Sequence, residues 1–200
     1  TDAAGNTASC SFTVTVNDNE DPTITCPANI TVDTDPGVCG AVVTYSVTTS
    51  DNCPNEALTQ TMGLASGSSF PEGITNNNFT VTDASGNTAS CSFTVTVNDT
   101  EDPVALCQMA TLVLDGTGSG LLDAADIDGG STDNCPGLSI DVSEPDFECE
   151  DVGPQTAELI VTDASGNSSS CIADVDVIAS LACTPPIIKN FGGPNIQDPC

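Results

Sequence analysis

The chain of 200 residues carries 29 acidic residues against one basic residue, Lys189, and no histidine, for a formal charge of −28. Phosphate recognition needs cations that are missing here, so nucleic acid is excluded as a partner. The absence of histidine removes Ser-His and Cys-His catalytic pairs and mixed Cys/His zinc sites.

The first stretch, "TDAAGNTASCSFTVTVNDNEDP" from Thr1, returns at Thr82 as "TDASGNTASCSFTVTVNDTEDP", with 20 of 22 positions identical, and "TDASGN" occurs again at Thr162. Self-similarity at a fixed period of about 80 residues marks repeated units. Cys10, Phe12, Val14 and Val16 alternate with Ser and Thr, the period of two that buries one face of a strand. A lone strand leaves its backbone unpaired. Residues 1–19 are therefore expected to be the final strand of a preceding or neighbouring-subunit domain, with Cys10, Phe12, Val14 and Val16 meeting a body elsewhere.

The acidic boundary "NDNEDP" at Asn17 opens a first full unit, residues 20–99. Short Thr- and Val-rich runs are separated by the turn signals "DPG" at Asp35, "DNC" at Asp51 and "TDASGN" at Thr82. The last of these turns is expected to join the final two strands as a hairpin ending in Cys91, Phe93, Val95 and Val97. A second boundary, "NDTEDP" at Asn98, opens residues 100–180, where "LLDAADID" from Leu121 promises at most one helical turn and "DNC" recurs at Asp133. Residues 181–200 depart from the repeat and read as a connector tail or the start of a further domain. The fold class expected is all-β: tandem Ig-like antiparallel β-sandwiches stapled by disulfides in an extended array.

Residues 21–97, with "DPTITCPANITVDTDPGVCGAVVTY", "SDNC", "FPEG" and "FTVTDASGNTASCSFTVTV", resemble a hyalin repeat (HYR) domain, and residues 102–177 resemble a divergent cousin. The cysteine pattern of that second unit is similar in style to secreted bacterial surface proteins. The resemblance implies Ig-like sandwiches with adhesive or scaffold roles; it does not imply a catalytic activity.

With 11 cysteines and no paired C-x2-C knuckles, disulfides are expected, which places the protein outside the cell, secreted or at the surface. Neither a signal peptide nor a membrane-spanning run is visible, as in a mature or internal piece of a secreted product. The first unit holds Cys26, Cys39, Cys53 and Cys91, the second Cys107, Cys135, Cys149 and Cys171; three connectivities are open in each. Three positions are shared and one has moved, so the simplest expectation keeps the moved cysteine on a common partner: Cys26 with Cys53 and Cys39 with Cys91, mirrored by Cys107 with Cys135 and Cys149 with Cys171. Cys183 and Cys200 would pair across the tail, leaving Cys10 for an external partner.

"VNDNEDP" also resembles the calcium-gripping linker of cadherins. Calcium takes about 6 to 8 oxygen ligands, and an Ig-like tandem brings acidic linkers beside loop tips. Candidate ligands are Asp18, Glu20, Asp21, Asp51 (with Asn52) and Asp83 at the first junction. Asp99, Glu101, Asp102, Asp133 (with Asn134) and Asp163 are their counterparts at the second. The same Asp and Asn residues are also ordinary turn formers. N-x-[ST] triplets offer glycan acceptors at Asn29, Asn78, Asn98 and Asn167.

The function expected is an extracellular structural or adhesive repeat protein, a stalk or filament. Its partners would be copies of itself or further repeats, with residues 9–16 complementing a neighbouring sandwich, and surface glycans or proteins. The alternative is a carbohydrate- or protein-binding module of a larger secreted protein, against which a composition with one Tyr and no Trp speaks.

Overall fold

The computed structural model describes residues 1–183, and the chain divides into two compact units, Thr1–Asp99 and Thr100–Cys200. Cys200 and Lys189 lie outside the described residues.

In the first unit eight strands form: β1 (Thr23–Thr25), β2 (Ile30–Asp33), β3 (Gly40–Val43), β4 (Thr48–Ser50), β5 (Ala57–Met62), β6 (Ser68–Pro71), β7 (Gly73–Thr82) and β8 (Thr88–Asn98). The main sheet has the order β2-β8-β7-β5, with the short pairs β3-β6 and β1-β4 beside it. Strict alternation on β7 and β8 sends Phe79, Val81, Phe93, Val95 and Val97 inward and Asn78, Thr80, Ser92, Thr94 and Thr96 outward. Tyr45 stands edge-on among Phe70, Phe79 and Phe93, with its ring centroid 4.9 Å from that of Phe93, and its hydroxyl donates to the Leu64 carbonyl at 2.5 Å. One tyrosine thus fills a core that has few large side chains and keeps its polar end satisfied.

The expected hairpin between β7 and β8 forms, with Thr82 opposite Thr88. The antiparallel expectation needs one correction: β2 runs parallel to β8, pairing Ile30 with Val95 and Asp33 with Asn98. Alternation specifies that a segment is a strand with one buried face; it carries no information on the direction of the neighbour.

The second unit repeats this plan with β9 (Ala110–Val113), β10 (Ser119–Leu121), β11 (Ser139–Val142), β12 (Asp146–Glu148), β13 (Gly153–Thr162) and β14 (Ser168–Ile178). Its main sheet is β11-β13-β14-β9, and β9 is again parallel to the last strand. A single helical turn, α1 (Ala124–Ile127), capped by the Asp123 side chain on the Ala125 N–H, sends Ile127 into an almost wholly aliphatic core.

The disulfides overturn the expected pairing. Cys26 bonds Cys91 and Cys107 bonds Cys171, while Cys149 bonds Cys183. None of Cys26–Cys53, Cys39–Cys91, Cys107–Cys135, Cys149–Cys171 or Cys183–Cys200 forms. Cys91 shares the inward parity of Phe93 on β8, and Cys26 follows directly on β1, which packs against β8. The bridge therefore ties the two layers together. The bonded pairs lie at similar separations in the two units, 65 and 64 residues. Cys39 and Cys135 are also oxidised, whereas Cys53, expected in a bridge, is a free and exposed thiol, as is Cys10.

Candidate metal centre

Each "TDASGN" copy folds the same way. Asp83 Oδ1 accepts the N–H groups of Ser85 (2.9 Å) and Asn87 (2.7 Å), and Asn87 Nδ2 donates to Asp83 Oδ2 (2.7 Å). Gly86 supplies the positive φ of +95° that closes the turn. Burial pushes the Asp83 carboxyl up, but the hydrogen bonds from Asn87, Gly86 and Ser85 outweigh it and hold the group below the usual carboxylate range. Asp83 is only 6% exposed, so a lasting negative charge sits at the tip of the hairpin.

Two further carboxylates converge on it. Asp51 follows β4 and uses one oxygen to accept the Cys53 N–H at 3.1 Å; its other oxygen, Oδ1, is buried with no hydrogen-bond partner. Asp18, in the incoming linker, accepts the Glu20 N–H through Oδ1 at 3.1 Å, and its Oδ2 is likewise buried and unpartnered. The backbone carbonyl of Asp18 accepts from Asn87 Nδ2 at 3.4 Å, which ties the linker to the hairpin turn. One oxygen from each of Asp18, Asp51 and Asp83 lies within 4.8 Å of the others.

Three like charges at that spacing repel one another, and residues 1–183 contain no Lys, Arg or His side chain to relieve them. The donor set is all oxygen and hard, with two buried oxygens unsatisfied, which fits Ca²⁺ and does not fit a soft metal. The neighbouring Cys53 thiol is pushed up, first by its hydrogen bond to Asp18, then by burial and by the charges of Asp18, Asp51 and Asp83. It stays a neutral thiol and a poor ligand.

Of the other predicted ligands, Glu20 accepts from Asn52 Nδ2 at 3.0 Å and, with Asp21, Thr23, Ser50, Asp51 and Asn52, lines a shallow cleft of about 290 Å³. Neither Glu20 nor Asp21 joins the group of three. In the second unit Asp163 repeats the Asp83 turn, accepting from the Asn167 N–H and Nδ2 at 2.8 Å each, and its carboxyl is again held low against burial. Asp133 accepts the Cys135 N–H at 3.0 Å, keeps a buried, unpartnered Oδ1, and approaches Asp163 within 4.8 Å. Asp99, the register counterpart of Asp18, is 6% exposed and accepts from Thr34 Oγ1 at 3.2 Å; Glu101 is half-buried and Asp102 exposed. Asn87 was missed as a site residue, although an Asn closes every copy of the motif.

The glycan candidates differ in availability. Asn29 uses its Oδ1 to accept the Thr94 N–H at 3.0 Å, and Asn167 spends its amide on Asp163. Asn78 faces outward on β7, and Asn98 is exposed at the end of β8.

Residues 17–97 match the model of the HYR domain. Over 201 aligned residues the chain is 35% identical to hyalin of Strongylocentrotus purpuratus, with 94% of this chain and 16% of that protein covered. It thus spans about a sixth of the length of that animal relative. Among solved structures, human mucin-like protocadherin EC1-2 aligns over 78% of this chain and 98% of its own, at 9% identity and a TM-score of 0.42. Mouse cadherin-23 EC22-24 aligns over 80% and 65%, at 14% identity and a TM-score of 0.39.

Proposed function

With the HYR match over residues 17–97 as premise, we propose that the chain is a non-enzymatic, extracellular structural and adhesive module of the HYR domain type that binds calcium at its unit boundary. The observation that carries this is the triad Asp18, Asp51 and Asp83, three carboxylates within 4.8 Å, two of them with buried, unsatisfied oxygens and no cationic side chain in residues 1–183. Calcium supplies the missing positive charge and locks linker, β4 loop and β7-β8 turn to one another.

The oxidised cysteines support an extracellular setting. Among the described residues no helix is long and apolar enough to cross a membrane. In the wider polypeptide the module serves as a link of a stalk or filament, its partners further repeats or copies of itself, together with surface glycans or proteins. Residues 9–16 complement a neighbouring sandwich. A carbohydrate-binding appendage is less well supported: Tyr45 is committed to the core among Phe70, Phe79 and Phe93, and only Phe12 offers a ring to solvent among the described residues.

Calorimetric titration of the chelator-stripped protein with CaCl2 tests the reading. Saturable binding that Asp51→Asn abolishes is the expected result. Absence of heat and of any rise in melting temperature at millimolar calcium defeats it.

A further inference from the structure

Strands β5, β7 and β8 contain not one charged residue, although the chain as a whole carries 29 acidic side chains. Their sheet buries one face and turns the other, made chiefly of Thr, Ser and Asn, to solvent. The fold itself does not demand this. At the matching places of the second unit, β13 and β14 carry Glu158, Asp174 and Asp176 where β7 and β8 have Asn78, Thr94 and Thr96. In the first unit a carboxylate appears only at the rim of the sheet, as Asp33 on the edge strand β2, opposite Asn98.

Two features of this face complement each other. Near one end of β7, Ile74 stands 70% exposed. Toward the other end, Thr61, Asn78, Thr80, Ser90 and Ser92 line a shallow depression of about 400 Å³. Ile74 lies four to six residues from Asn78 and Thr80 along the strand, about 13 to 20 Å at the rise of an extended chain. A knob and a hole on one surface are what an isologous contact requires, because each copy gives its knob to the hole of the other. The two-fold axis then passes midway, at the register pair Asn76 and Thr94. Hydroxyls and primary amides both donate and accept, so a surface of Thr, Ser and Asn can bond to its own image. A surface of carboxylates cannot, since acceptors of one charge would meet.

We propose that this face is a homophilic docking surface, on which a second copy of the chain packs sheet to sheet with Ile74 of each in the depression of the other. With a formal charge of −28 the copies repel over most of their surface, and the uncharged face is where they can meet. The contact is lateral, across the sheet. It goes beyond the end-to-end joining of units proposed above and is independent of the calcium site.

Sedimentation equilibrium of the full chain tests this, with protein made in the bacterial periplasm so that Asn78 bears no glycan, kept in chelator, and with the exposed thiols Cys10 and Cys53 capped by iodoacetamide. A dimer is expected. Raising NaCl from about 0.01 to 0.15 M strengthens it, because the Debye length falls from about 30 to 8 Å and the surrounding carboxylates are screened. Thr94→Asp weakens self-association at least about tenfold, and Asp174 at the matching place shows that the strand accommodates the change. Ser69→Asp adds the same charge on β6 and leaves the dimer unaltered. Thr94→Lys does not associate alone, whereas an equimolar mixture of Thr94→Lys and Thr94→Asp does, since opposite charges then meet at the axis. A parent chain that stays monomeric, a Thr94→Asp variant that dimerises like the parent, or a mixture that fails to associate overturns the proposal. So does a monomer in which dextran shifts the amide resonances of Thr80 and Ser92, a result that assigns the face to neutral carbohydrate. A dimer that forms only when calcium is restored also overturns it, while leaving the calcium reading in place.

Discussion

Cys91 on β8 and Cys26 after β1 hold their Cα atoms 5.8 Å apart across the two layers of the first sandwich, closing a loop of 65 residues. Replacing both with alanine frees that loop in the unfolded chain. The urea midpoint of the first unit is expected to fall by the equivalent of about 2–4 kcal/mol. Intrinsic fluorescence of Tyr45, which packs against Phe93 in the same core, follows the transition.

Phe12 and Phe93 form a second comparison, two copies of one sequence position in opposite surroundings. Phe93→Ala empties a core site 3% exposed and costs about 3–5 kcal/mol. Phe12→Ala, at 86% exposed, shifts the same urea curve by no more than about 0.5 kcal/mol. Equal losses would mean that the first segment packs on the sandwich.

Asn77 is wholly buried and its Oδ1 accepts the Leu64 N–H at 3.1 Å. Gly63 makes this possible: its φ is +96°, and a Cβ there would stand 2.1 Å from Asn77 Oδ1. Asn77→Ala strands a buried backbone donor and is expected to cost about 1–3 kcal/mol. Gly63→Ala is expected to exceed it, because strain and clash add. Thermal melts of the two variants, ranked against each other, check the order.

Asp128 tests the second unit by pH. Its Oδ1 accepts from Ser131 Oγ (2.6 Å), the Ser131 N–H (2.9 Å) and the Gly130 N–H (3.2 Å), and these bonds hold its carboxyl below the usual value. A depressed folded pKa contributes stability that is complete above the unfolded value of about 3.9 and disappears as pH falls through the folded one. Asp128→Asn therefore melts below the parent at neutral pH, and the two curves converge as pH falls through the lowered folded pKa of Asp128. A gap that persists in acid would assign the effect to packing instead of charge.

Calcium removal supplies the fifth expectation. If the ion holds Asp18, Asp51 and Asp83, a chelator lowers the melting temperature of the parent, and the Asp51→Asn variant melts at one temperature with or without it. At a hundredfold excess over the dissociation constant, the ion adds about 2.7 kcal/mol to the parent.

The strands and the hairpins were legible because one buried face leaves a period of two in residues such as Phe93, Val95 and Val97, and because "TDASGN" is a turn made of its own Asp and Asn. Asp51 and Asp83 were legible as a pair for the same reason: their motifs recur one period apart. The parallel partner of β8 was not, since "ITVD" at Ile30 reads the same beside a neighbour of either direction. Nor was Cys26–Cys91, which depends on which strands cross between layers; Cys26 with Cys53 and Cys107 with Cys135 recur at spacings just as similar, so spacing alone does not choose between the pairings. Asp21 lies in the same acidic run as Asp18, yet it stays outside the group of three, because adjacency in a linker does not fix which side chains turn toward the hairpin.

The Cys26–Cys91 bridge has a mechanical meaning. Tension that enters through β1 reaches Cys26, crosses the bridge to Cys91 on β8 and leaves the sandwich after Asn98, so the residues between the two cysteines, β2 among them, lie outside the covalent path of the load. A pull can draw out only the segments before Cys26 and after Cys91, and the remainder of the unit stays a closed loop until the bridge is reduced.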